Sequence, residues 1–440
     1  FAKYQSGLGK EVFARLLAME MPYFDSRNVG DLTKLVDQIE EALANVGGSV
    51  VGESLDGEGL YLIETLADPE EVVEVLEDKD VVVSVGLDTV VHLTATSNDP
   101  QLGAQWGLGP APGVNAFAAW DVTTGGSVVA VIDTGIDFSH PDLAGNLWTN
   151  PGEIPNNGLD DDNNGLVDDF YGWDHNWDAD PSDDNGHGTH VAGTIAAVAN
   201  NAIGVAGVAP GVRIMPVKTM GPYGGYTSSA ISGLAYAVLQ GASISNHSYG
   251  GYYYNSYFHF VIEVADTFGH LVVAAAGNNG SNNDGLAHYP SSYPSANVIS
   301  VAAVDSSGSL AWFSNYGASS VDVAAPGVGI LSTTPGGGYA TMSGTSMAAP
   351  HVAGVAALLR SVSSASPSTI RQTLIDSAQP NGQLSGLMVS GGTVDAFEAI
   401  RSLDSAPPIL VATSPANGAM GVPADTNIVL TFNEPVTVTG

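Results

Sequence analysis

The sequence predicts an α/β protein whose core is a parallel sheet with helices on both faces. Between residues 97 and 403, short apolar runs alternate with segments of helical length, which is typical of buried parallel strands joined by crossover helices. The runs that predict strands are 127–132, 213–217, 242–245, 271–276 and 298–304. The segments that predict helices are 187–199, 227–240, 255–268 and 346–360.

Residues 1–96 predict a separate α+β unit of the split βαβ, or ferredoxin-like, kind. Apolar residues recur at helical spacing over 32–43, and the Asp-Pro-Glu-Glu segment at 68–71 is typical of a second helix start. The β-like runs are 49–51, 60–64 and 81–93. Because the polar segment 94–100 interrupts this pattern, we place a domain boundary after residue 96.

Residues 404–440 predict a linker and the start of a further β-domain. A Pro-Pro pair opens the segment, and 428–432 is strand-like with turn residues on either side. The segment is too short for a whole β-sandwich, so we expect a partial one. The chain opens without an initiator Met or a signal-peptide apolar region and stops inside what looks like a strand. We expect both ends to be cuts in a longer precursor.

The composition excludes several functional classes. Lys plus Arg total 11 against 46 Asp plus Glu, which gives 440 residues a formal charge of −35. Such a charge repels polyphosphates and anionic lipids, so we expect no nucleic-acid or membrane-surface binding. The chain has no cysteine, which excludes disulfides, thiolate metal sites and a cysteine nucleophile. No apolar run approaches the roughly 18–20 residues of a membrane span.

Three polar residues stand where a sheet of this class binds its ligands, at the carboxyl ends of strands. Asp133 follows the run 127–132, His187 opens one helical segment, and Ser346 opens another. Acyl transfer requires these three groups, because a serine hydroxyl becomes nucleophilic only when a neutral imidazole takes its proton and a carboxylate orients that imidazole. Asn278 follows a further strand and is aimed at the same edge.

These candidate residues can also be explained without a catalytic role. An Asp at a strand end is often only a cap, and an Asn after Ala-Gly is often only a loop residue. His187 and His190 could look like a metal site, but a metallopeptidase helix would have Glu between histidines at i and i+4. The spacing here is i and i+3 with Gly-Thr between, so we interpret His190 as a structural partner.

Four ordered motifs resemble those of the subtilisin-like serine peptidases, the subtilases. They are Asp-Thr-Gly at 133–135, His-Gly-Thr-His-Val-Ala-Gly at 187–193, Ala-Ala-Gly-Asn at 275–278 and Gly-Thr-Ser-Met-Ala-Ala-Pro at 344–350. The likeness covers about 98–403 and is strongest to the calcium-stabilised, cysteine-free branch that includes thermitase. It implies that Asp133, His187 and Ser346 form the catalytic triad and that Asn278 donates to the oxyanion. Residues 1–96 then resemble an inhibitor-like propeptide, and 404–440 the start of a bacterial Ig-like domain.

The same resemblance implies two edges of a substrate cleft. Gly224 and Gly225 lie in a segment that would pair with an extended peptide. The opposite side and the pocket for P1, the residue before the scissile bond, would be formed by Ser248, Tyr249, Gly250, Ala275, Ala276 and Gly277. Small residues there imply an open pocket and broad specificity, with an apolar or aromatic P1. The aromatic residues of 249–260 either line its rim or pack a helix.

A calcium site is expected in the acidic segment. There is no Lys or Arg between Lys79 and Arg213, while carboxylates crowd 133–184, and unpaired like charges would destabilise the fold. Residues 160–165 fit D-x-D-x-N-G, the first half of an EF-hand-type loop. The expected ligands are Asp160, Asp162, Asn164, the carbonyl of Leu166, and Asp168 or Asp169 in place of the missing Glu. The alternative is an acidic, solvated loop.

A second calcium site follows from the resemblance alone. Its ligands would be Asp99, Asp142, Val198, Asn201, Ile203 and Val205. A further site could be built from Asp174, Asp178, Asp180, Asp183 and Asp184.

These observations predict a secreted, calcium-stabilised serine endopeptidase in its zymogen form. We expect polypeptide substrates, inhibition by its own propeptide, a monomeric state and Ca²⁺ as the cofactor. The competing class is a catalytically idle surface protein that uses the same fold for binding. The presence of every triad and oxyanion residue argues against it.

Overall fold

The computed structural model describes residues 97–176 and 180–403 in full, together with the backbone of several strands outside those ranges. Near the N-terminus the strands are β1 (Glu11–Arg15), β2 (Gly48–Val50), β3 (Leu60–Thr65) and β4 (Ser84–Leu87). They form an antiparallel sheet in the order β2-β3-β1-β4. This is the strand order of a split βαβ module. The helices expected over 32–43 and from 68 lie outside the described residues.

A nine-stranded sheet forms the centre of a compact unit that covers Leu93–Ala406. The strands of this unit are β5 (Val128–Asp133), β6 (Trp173–Asp174), β7 (Arg213–Lys218), β8 (Met220–Gly221), β9 (Gly224–Gly225), β10 (Ile244–His247), β11 (Leu271–Ala275), β12 (Val298–Val304), β13 (Val323–Pro326), β14 (Ile330–Thr334), β15 (Gly338–Met342), β16 (Gln379–Pro380) and β17 (Gly392–Thr393). The order in the sheet is β16-β17-β13-β12-β11-β10-β5-β7-β6. Every pairing is parallel except that of β16 with β17. Two short antiparallel hairpins, β8-β9 and β14-β15, stand outside this sheet.

Helices cover both faces of the sheet. They are α1 (Ala116–Trp120), α2 (His187–Ala196), α3 (Thr227–Leu239), α4 (Ser256–Thr267), α5 (Thr345–Val362), α6 (Pro367–Asp376) and α7 (Ala396–Leu403). The strand β5 shows how two cores arise, because its side chains alternate between the faces. Val129 and Val131 pack in the core on the α2 and α5 side, whereas Ala130 and Ile132 pack in the core on the α3 and α4 side.

The predicted fold class is therefore confirmed. Each predicted strand and helix of the central unit is present, with ends that shift by no more than a few residues. The strand β13 was not predicted, because Val-Ala-Ala-Pro is too short an apolar run to distinguish from a loop. The hairpin β14-β15 was also missed.

The sheet has a topological switch point beside β5. The chain leaves β5 for β7 on one side and later returns to place β10 on the other side. Crossovers that diverge in this way leave a crevice at the carboxyl ends of the two strands, where α/β proteins bind ligands. Asp133 is the last residue of β5 and therefore lies at this crevice.

Beyond the compact unit, β18 (Leu410–Ser414) pairs in antiparallel fashion with β19 (Val429–Phe432). This pairing agrees with the expected start of a β-domain. Among the described residues, no helix has both the length and the apolar character that crossing a bilayer requires.

Candidate active site

The first pair of the site joins the end of β5 to the start of α2. The Nδ1 atom of His187 lies 2.7 Å from the Oδ1 atom of Asp133. Asp133 is fully buried, and its Oδ1 also accepts from the backbone N–H of Thr134 at 2.8 Å. The His187 side chain is 27% exposed, so its ring reaches from the buried carboxylate to the surface of the crevice.

Two opposing effects set the pKa of His187. Burial lowers the pKa, but the negative charge of Asp133 and the hydrogen bond that the ring donates to its carboxylate raise it, with a further contribution from Asp183. The net pKa is raised. The site therefore stabilises the imidazolium, which is the form that a general base takes once it has accepted a proton.

The start of α2 approaches the end of β5 closely because residue 188 is glycine. A Cβ atom on Gly188 would lie 2.2 Å from the carbonyl oxygen of Gly135. The N–H of Gly188 donates to the hydroxyl of Thr134 at 2.9 Å. Any side chain at position 188 would therefore force the start of α2 or the turn after β5 to shift.

Asp183 and Lys218 connect the end of β5 to the start of α2. Sequence reasoning did not assign either residue to this site. The Asp183 carboxylate accepts from the N–H of Gly186, from the N–H and hydroxyl of Thr189 and from the hydroxyl of Thr134. The Nζ atom of Lys218, which is buried, donates to the carbonyl of Thr134 at 2.6 Å and to Asp184 at 2.8 Å. The signal for Asp183 was its place just before a helix start, where Asp commonly caps exposed N–H groups.

Ser346 lies in the first turn of α5, next to the end of β10. Its hydroxyl donates to the carbonyl of Ser248 at 2.9 Å, and the Ser248 hydroxyl donates to the carbonyl of Ser346 at 2.8 Å. In an unbroken helix the Ser346 carbonyl would accept from the N–H of residue 350, but Pro350 has none. The proline thus leaves that carbonyl available to Ser248, which ties α5 to the strand.

Asn278 follows β11 and contacts the same helix start. Its Oδ1 atom accepts from the N–H of Thr345 at 2.8 Å and from the Thr345 hydroxyl at 2.9 Å. With the oxygen held on Thr345, the amide nitrogen lies on the Gly344 side, 3.5 Å from where a Cβ of residue 344 would stand. The backbone nitrogen of Ser346 lies 3.6 Å from the same position.

The predicted substrate residues lie in one exposed segment, 224–225, and in two segments, 248–250 and 275–277, that are largely buried. Gly224 and Gly225 are exposed in the β8-β9 hairpin. The segment 248–250 continues from β10, and 275–277 ends β11, so the two lie on neighbouring strands. Tyr249 is half-buried, and its hydroxyl is 2.6 Å from Nδ1 of His247.

Sequence reasoning missed His288, which contacts both of these neighbouring segments. A Cβ atom on Gly250 would lie 2.2 Å from Cε1 of His288, and one on Gly277 would lie 3.2 Å from its Cδ2. His288 lies in a loop between β11 and β12, where no motif marked it.

The aromatic residues of 249–260 differ in burial. Phe258 is buried, whereas Tyr253, Tyr257 and Phe260 are exposed. The Tyr252 hydroxyl donates to the side chain of Asn279 at 2.7 Å, beside the Asn278 of the site. Phe258 therefore packs in the core, and lining of the rim by the exposed residues stays a prediction.

Part of the expected acidic ligand set converges around Asp160 and Asp162. One carboxylate oxygen of each lies within 4.8 Å of the others and of one from Glu153. Glu153 was not predicted, because it stands outside the D-x-D-x-N-G spacing. The Asn164 side chain donates to Asp162 and to Asp169, so Asp169 is connected to the group through an amide.

Asp168 and Asp169 point in different directions. The Asp168 carboxylate accepts from the N–H groups of Asn157 and Gly158, on a neighbouring turn. Asp169 is fully buried and accepts from the Tyr236 hydroxyl at 2.7 Å. The Leu166 N–H donates to the side chain of Asn164 at 2.7 Å. Of the two candidates for the missing Glu, only Asp169 faces the Asp160 and Asp162 group.

The residues of the second expected calcium site lie together. The Asn201 side chain donates to Asp142 at 2.7 Å, the Asn201 N–H donates to Asp99 at 3.1 Å, and the Val205 N–H donates to Asp142 at 2.9 Å. The segment from Val198 through Ile203 thus folds around two buried carboxylates. Burial raises the pKa of Asp142, and the charge of Asp99 contributes to the rise.

The structure does not bring the residues of the third expected site together. Asp183 bonds the start of α2, Asp184 pairs with Lys218, and Asp180 accepts from the N–H of Ser182. Asp178 lies outside the described residues. Asp174 accepts from the N–H of Asn176.

His190 occupies a structural position. Its Nε2 atom lies 3.0 Å from the Ile330 carbonyl and 3.1 Å from the Ala340 carbonyl, which join α2 to the β14-β15 hairpin. Burial lowers the pKa of His190 to about 4. The neutral imidazole therefore helps to hold α2 against the β14-β15 hairpin.

The site contains the parts that acyl transfer requires. They are a buried carboxylate that orients an imidazole, a hydroxyl in the first turn of a helix, and an amide. Comparison with known proteins agrees with this chemistry. The family model for the subtilase family matches residues 124–393, and one for a bacterial Ig-like domain matches 404–440. The chain belongs to the subtilase family, in its thermitase-like branch, and is a serine endopeptidase.

Individual relatives extend over most of the chain. It is 41% identical to the thermophilic serine proteinase of Bacillus sp. (strain AK1), over 73% of this chain and 74% of that protein. It is 40% identical to thermitase of Thermoactinomyces vulgaris, over 70% of this chain and 99% of that protein. A solved structure titled as proteases from Pseudoalteromonas arctica PAMC 21717 superimposes with a TM-score of 0.60 at 34% identity, over 70% of this chain and 99% of that one.

Proposed function

We propose that the chain hydrolyses peptide bonds with Ser346 as nucleophile, His187 as general base and Asp133 as the group that orients His187. The observation that carries this proposal is the 2.7 Å contact between Nδ1 of His187 and the buried Asp133. It fixes the proton on Nδ1, so the outer nitrogen, Nε2, is the one that can accept a proton from Ser346.

The reaction follows from these roles. Ser346 leaves its hydrogen bond to Ser248, transfers its proton to Nε2 of His187 and bonds to the carbonyl carbon of the substrate. The imidazolium then protonates the leaving amine, and the acyl group stays on Ser346. Water, deprotonated by His187, attacks the acyl carbon and releases the new carboxylate with regeneration of Ser346.

Asn278 is proposed as a donor to the oxyanion of the tetrahedral intermediate. Its oxygen is engaged by two donors of Thr345, which turns the NH₂ group toward the other side. The N–H groups at the start of α5 provide a second source of positive charge. Both would act on charge that develops only in the transition state, so they lower the activation free energy.

The substrate is proposed to be an extended polypeptide with an apolar P1 residue. The exposed glycines 224 and 225 leave backbone N–H and C=O groups open to pairing on one side. The segment 248–250 offers a second edge.

Calcium is proposed at two places, and the donors fit that ion. Asp99 and Asp142 are buried and approach the same loop, where the Asn201 N–H donates to Asp99 and the Asn201 side chain donates to Asp142. Two buried like charges without a cation would repel each other, whereas Ca²⁺ prefers carboxylate, amide and carbonyl oxygens. The residues that would hold it are Asp99, Asp142, Asn201 and the carbonyls of 198, 203 and 205. At the second place Glu153, Asp160, Asp162 and Asp169 offer carboxylates.

The protein is further proposed to be a secreted monomer made as a zymogen. Relatives with extracellular names support secretion, among them the extracellular protease of Xanthomonas campestris and the extracellular basic protease of Dichelobacter nodosus. Residues 1–96 would act as an intramolecular inhibitor. Wild-type protein should cleave itself within 94–100, pure Ser346→Ala should stay full length, and isolated 1–96 should inhibit the mature enzyme. Equal processing of the pure variant would contradict autocatalysis.

A fluorophosphonate probe tests the catalytic assignment. We expect it to label wild type at Ser346 and to leave Ser346→Ala and His187→Ala unlabelled. The matched control is Ser343→Ala, an exposed serine in the loop before α5, which should label like wild type. A wild-type chain that folds but takes no label would instead be the idle surface protein.

A further inference from the structure

Three polar side chains form a row on one face of β10 and its continuation. Ser245, His247 and Tyr249 are two residues apart, so they point to the same side of the strand. On that side the His247 ring lies 6.3 Å from an aromatic ring of α4, and Tyr249 packs against the core of the α3 and α4 face. The intervening Ser248 points the other way, where its hydroxyl donates to the Ser346 carbonyl at 2.8 Å. The row is therefore separate from the contacts that hold the nucleophile.

A chain of hydrogen bonds connects this row to the backbone before β10. The Tyr249 hydroxyl lies 2.6 Å from Nδ1 of His247, and Nε2 of His247 lies 2.8 Å from the Ser245 hydroxyl. The same hydroxyl lies 2.8 Å from Nε2 of His270, whose Nδ1 lies 2.6 Å from the Ala242 carbonyl. Ser245 and both histidines are buried, so the protein itself must supply a partner to each of their polar atoms.

Both imidazoles of the chain are neutral at neutral pH. Burial lowers the pKa of His247 to about 3, and the neighbouring His270 adds to this effect. Burial also lowers the pKa of His270 to about 4, where the bond to Ala242 opposes the change and the charge of Arg360 adds to it. A neutral imidazole has one nitrogen that donates and one that accepts.

Neutral rings give the chain a single direction of donation. A backbone carbonyl only accepts, so Nδ1 of His270 carries the proton and its Nε2 accepts. Ser245 must then donate its one hydroxyl proton to His270, and it accepts from Nε2 of His247. This leaves Nδ1 of His247 without a proton, so the Tyr249 hydroxyl donates to it. Donation therefore runs from Tyr249 through both rings to the Ala242 carbonyl.

We infer that His247 positions Tyr249, and with it the substrate edge 248–250, through a hydrogen-bond chain that ends at the Ala242 carbonyl. This inference rests on the proposed function, in which 248–250 lines the substrate cleft. If the Tyr249 ring rotates away, a buried nitrogen of His247 loses its only possible kind of partner, a donor, and such a loss is costly. The edge is thus held in one geometry before the substrate arrives, which reduces the ordering that binding requires. His247 is a positioning residue that acts through Tyr249.

The direction of the chain is tested by NMR of protein with ¹⁵N-labelled histidine rings. The full chain carries Ser346→Ala to prevent self-digestion, and His247→Leu and His270→Leu assign the two sets of signals. At neutral pH we expect the proton of His247 on Nε2 and that of His270 on Nδ1. Adding Ser245→Ala cuts the chain in the middle, so His247 should then show a mixture of the two tautomers.

The effect on the substrate edge is tested by kinetics with an extended peptide p-nitroanilide. Active enzyme is counted by fluorophosphonate titration, so that misfolded protein does not contribute. Tyr249→Phe and His247→Leu should each raise KM by about 3–10-fold, the size of one lost hydrogen bond, and leave kcat near the wild-type value. The rate of labelling by the fluorophosphonate, which does not pair with the edge, should change little.

Two further variants separate positioning from folding. The double variant His247→Leu with Tyr249→Phe replaces both bonded partners by apolar groups, so its stability in denaturant should recover while its KM stays raised. The matched control is Tyr293→Phe, because Tyr293 is buried and its hydroxyl donates to the Asn255 carbonyl at 3.1 Å. The control should lower stability and leave KM unchanged.

The possible failures differ in what they overturn. A His247 proton on Nδ1, or a wild-type KM in Tyr249→Phe, would overturn the inference alone, because the labelling of Ser346 depends on neither. A double variant whose KM recovers together with its stability would also overturn it, since the chain would then serve folding only. A wild type that takes no label and cleaves no peptide would overturn the proposed function, and this inference with it.

Discussion

In the proposed mechanism His187 must be neutral to accept the proton of Ser346, so its pKa would set the lower pH limit of activity. Burial favours the neutral ring and would lower this pKa, but the charge and hydrogen bond of Asp133 outweigh burial and raise it above the ordinary value of 6.5. We expect kcat/KM to fall as the pH drops through that raised pKa. The Asp133 carboxylate, which is proposed to orient His187, should therefore also raise the pH below which the enzyme loses activity.

The Asp133→Asn variant tests this balance. It removes the charge that raises the pKa of His187 and leaves burial, so the acid limb of the pH–rate profile should move to lower pH. We expect kcat to fall by about 10⁴-fold, because an amide can favour the wrong tautomer of the imidazole. Asp137→Asn, which changes an aspartate bonded to the backbone of Ser139, is the control. An acid limb at the wild-type position would contradict the role of Asp133.

The Asn278→Ala variant tests the oxyanion donor. We expect kcat to fall by about 10²–10³-fold with little change in KM, because the amide would act on charge that the ground state does not carry. Steady-state kinetics on a peptide substrate provides the measurement, with Asn279→Ala as the adjacent control. A change in KM alone would remove Asn278 from the oxyanion role.

The start of α2 is the element that decides whether the site is assembled. Five backbone and side-chain donors converge on the Asp183 carboxylate, and the buried Lys218 holds the turn after β5. The first residue of this helix is His187, so any fraying of the first turn moves the base. Stability and catalysis should therefore be coupled through the bonds of Asp183 at this helix start.

We therefore expect Asp183→Ala to lower both stability and turnover. Loss of a helix cap costs about 0.5–2 kcal/mol of the free energy of unfolding, and the displaced imidazole should lower kcat. Denaturant unfolding and kinetics on the same preparations measure the two effects. The control Asp180→Ala removes a carboxylate whose bond, among the described residues, is to the local turn at Ser182, and it should change neither by much. Full activity in a destabilised Asp183→Ala would separate the cap from the site.

Across the whole molecule the dominant electrostatic fact is a charge of −35 on 440 residues. Carboxylates are packed together in the segment that contains Glu153, Asp160 and Asp162, and again at Asp99 and Asp142. Self-repulsion on this scale opposes the compact state, and exposed charges are screened by salt over about 8 Å at physiological ionic strength. Salt screens pairs of buried charges much less.

Chelation should accordingly lower the melting temperature, and NaCl should restore only part of the loss. A ligand that binds only the native state stabilises it by about 2.7 kcal/mol at a hundredfold excess over Kd. The double variant Asp160→Asn with Asp162→Asn should lose part of the calcium response, since the site at Asp142 remains. The pair Asp121→Asn with Asp376→Asn makes the same change of charge elsewhere. Equal melting with and without calcium, after metal analysis, would contradict both sites.

The sequence was sufficient for the architecture and for proposing the reacting groups. Buried strands and crossover helices leave periodic signals, and Asp133, His187 and Ser346 stand at element ends that local pattern locates. The order of the nine strands, in which β10 lies beside β5, could not be predicted from local pattern. Strand pairing depends on contacts between segments that are distant in the sequence.

Tertiary contacts decided the rest of the site. Asp183, Lys218 and Glu153 are ordinary polar residues in the sequence, and only the folded chain shows what each one bonds. His288 is the clearest case, since glycines at 250 and 277 alone predict an open pocket, and the imidazole between them comes from a loop that no motif marks. Residue type limits what chemistry a side chain can perform, whereas the space that remains around it depends on every segment that packs there.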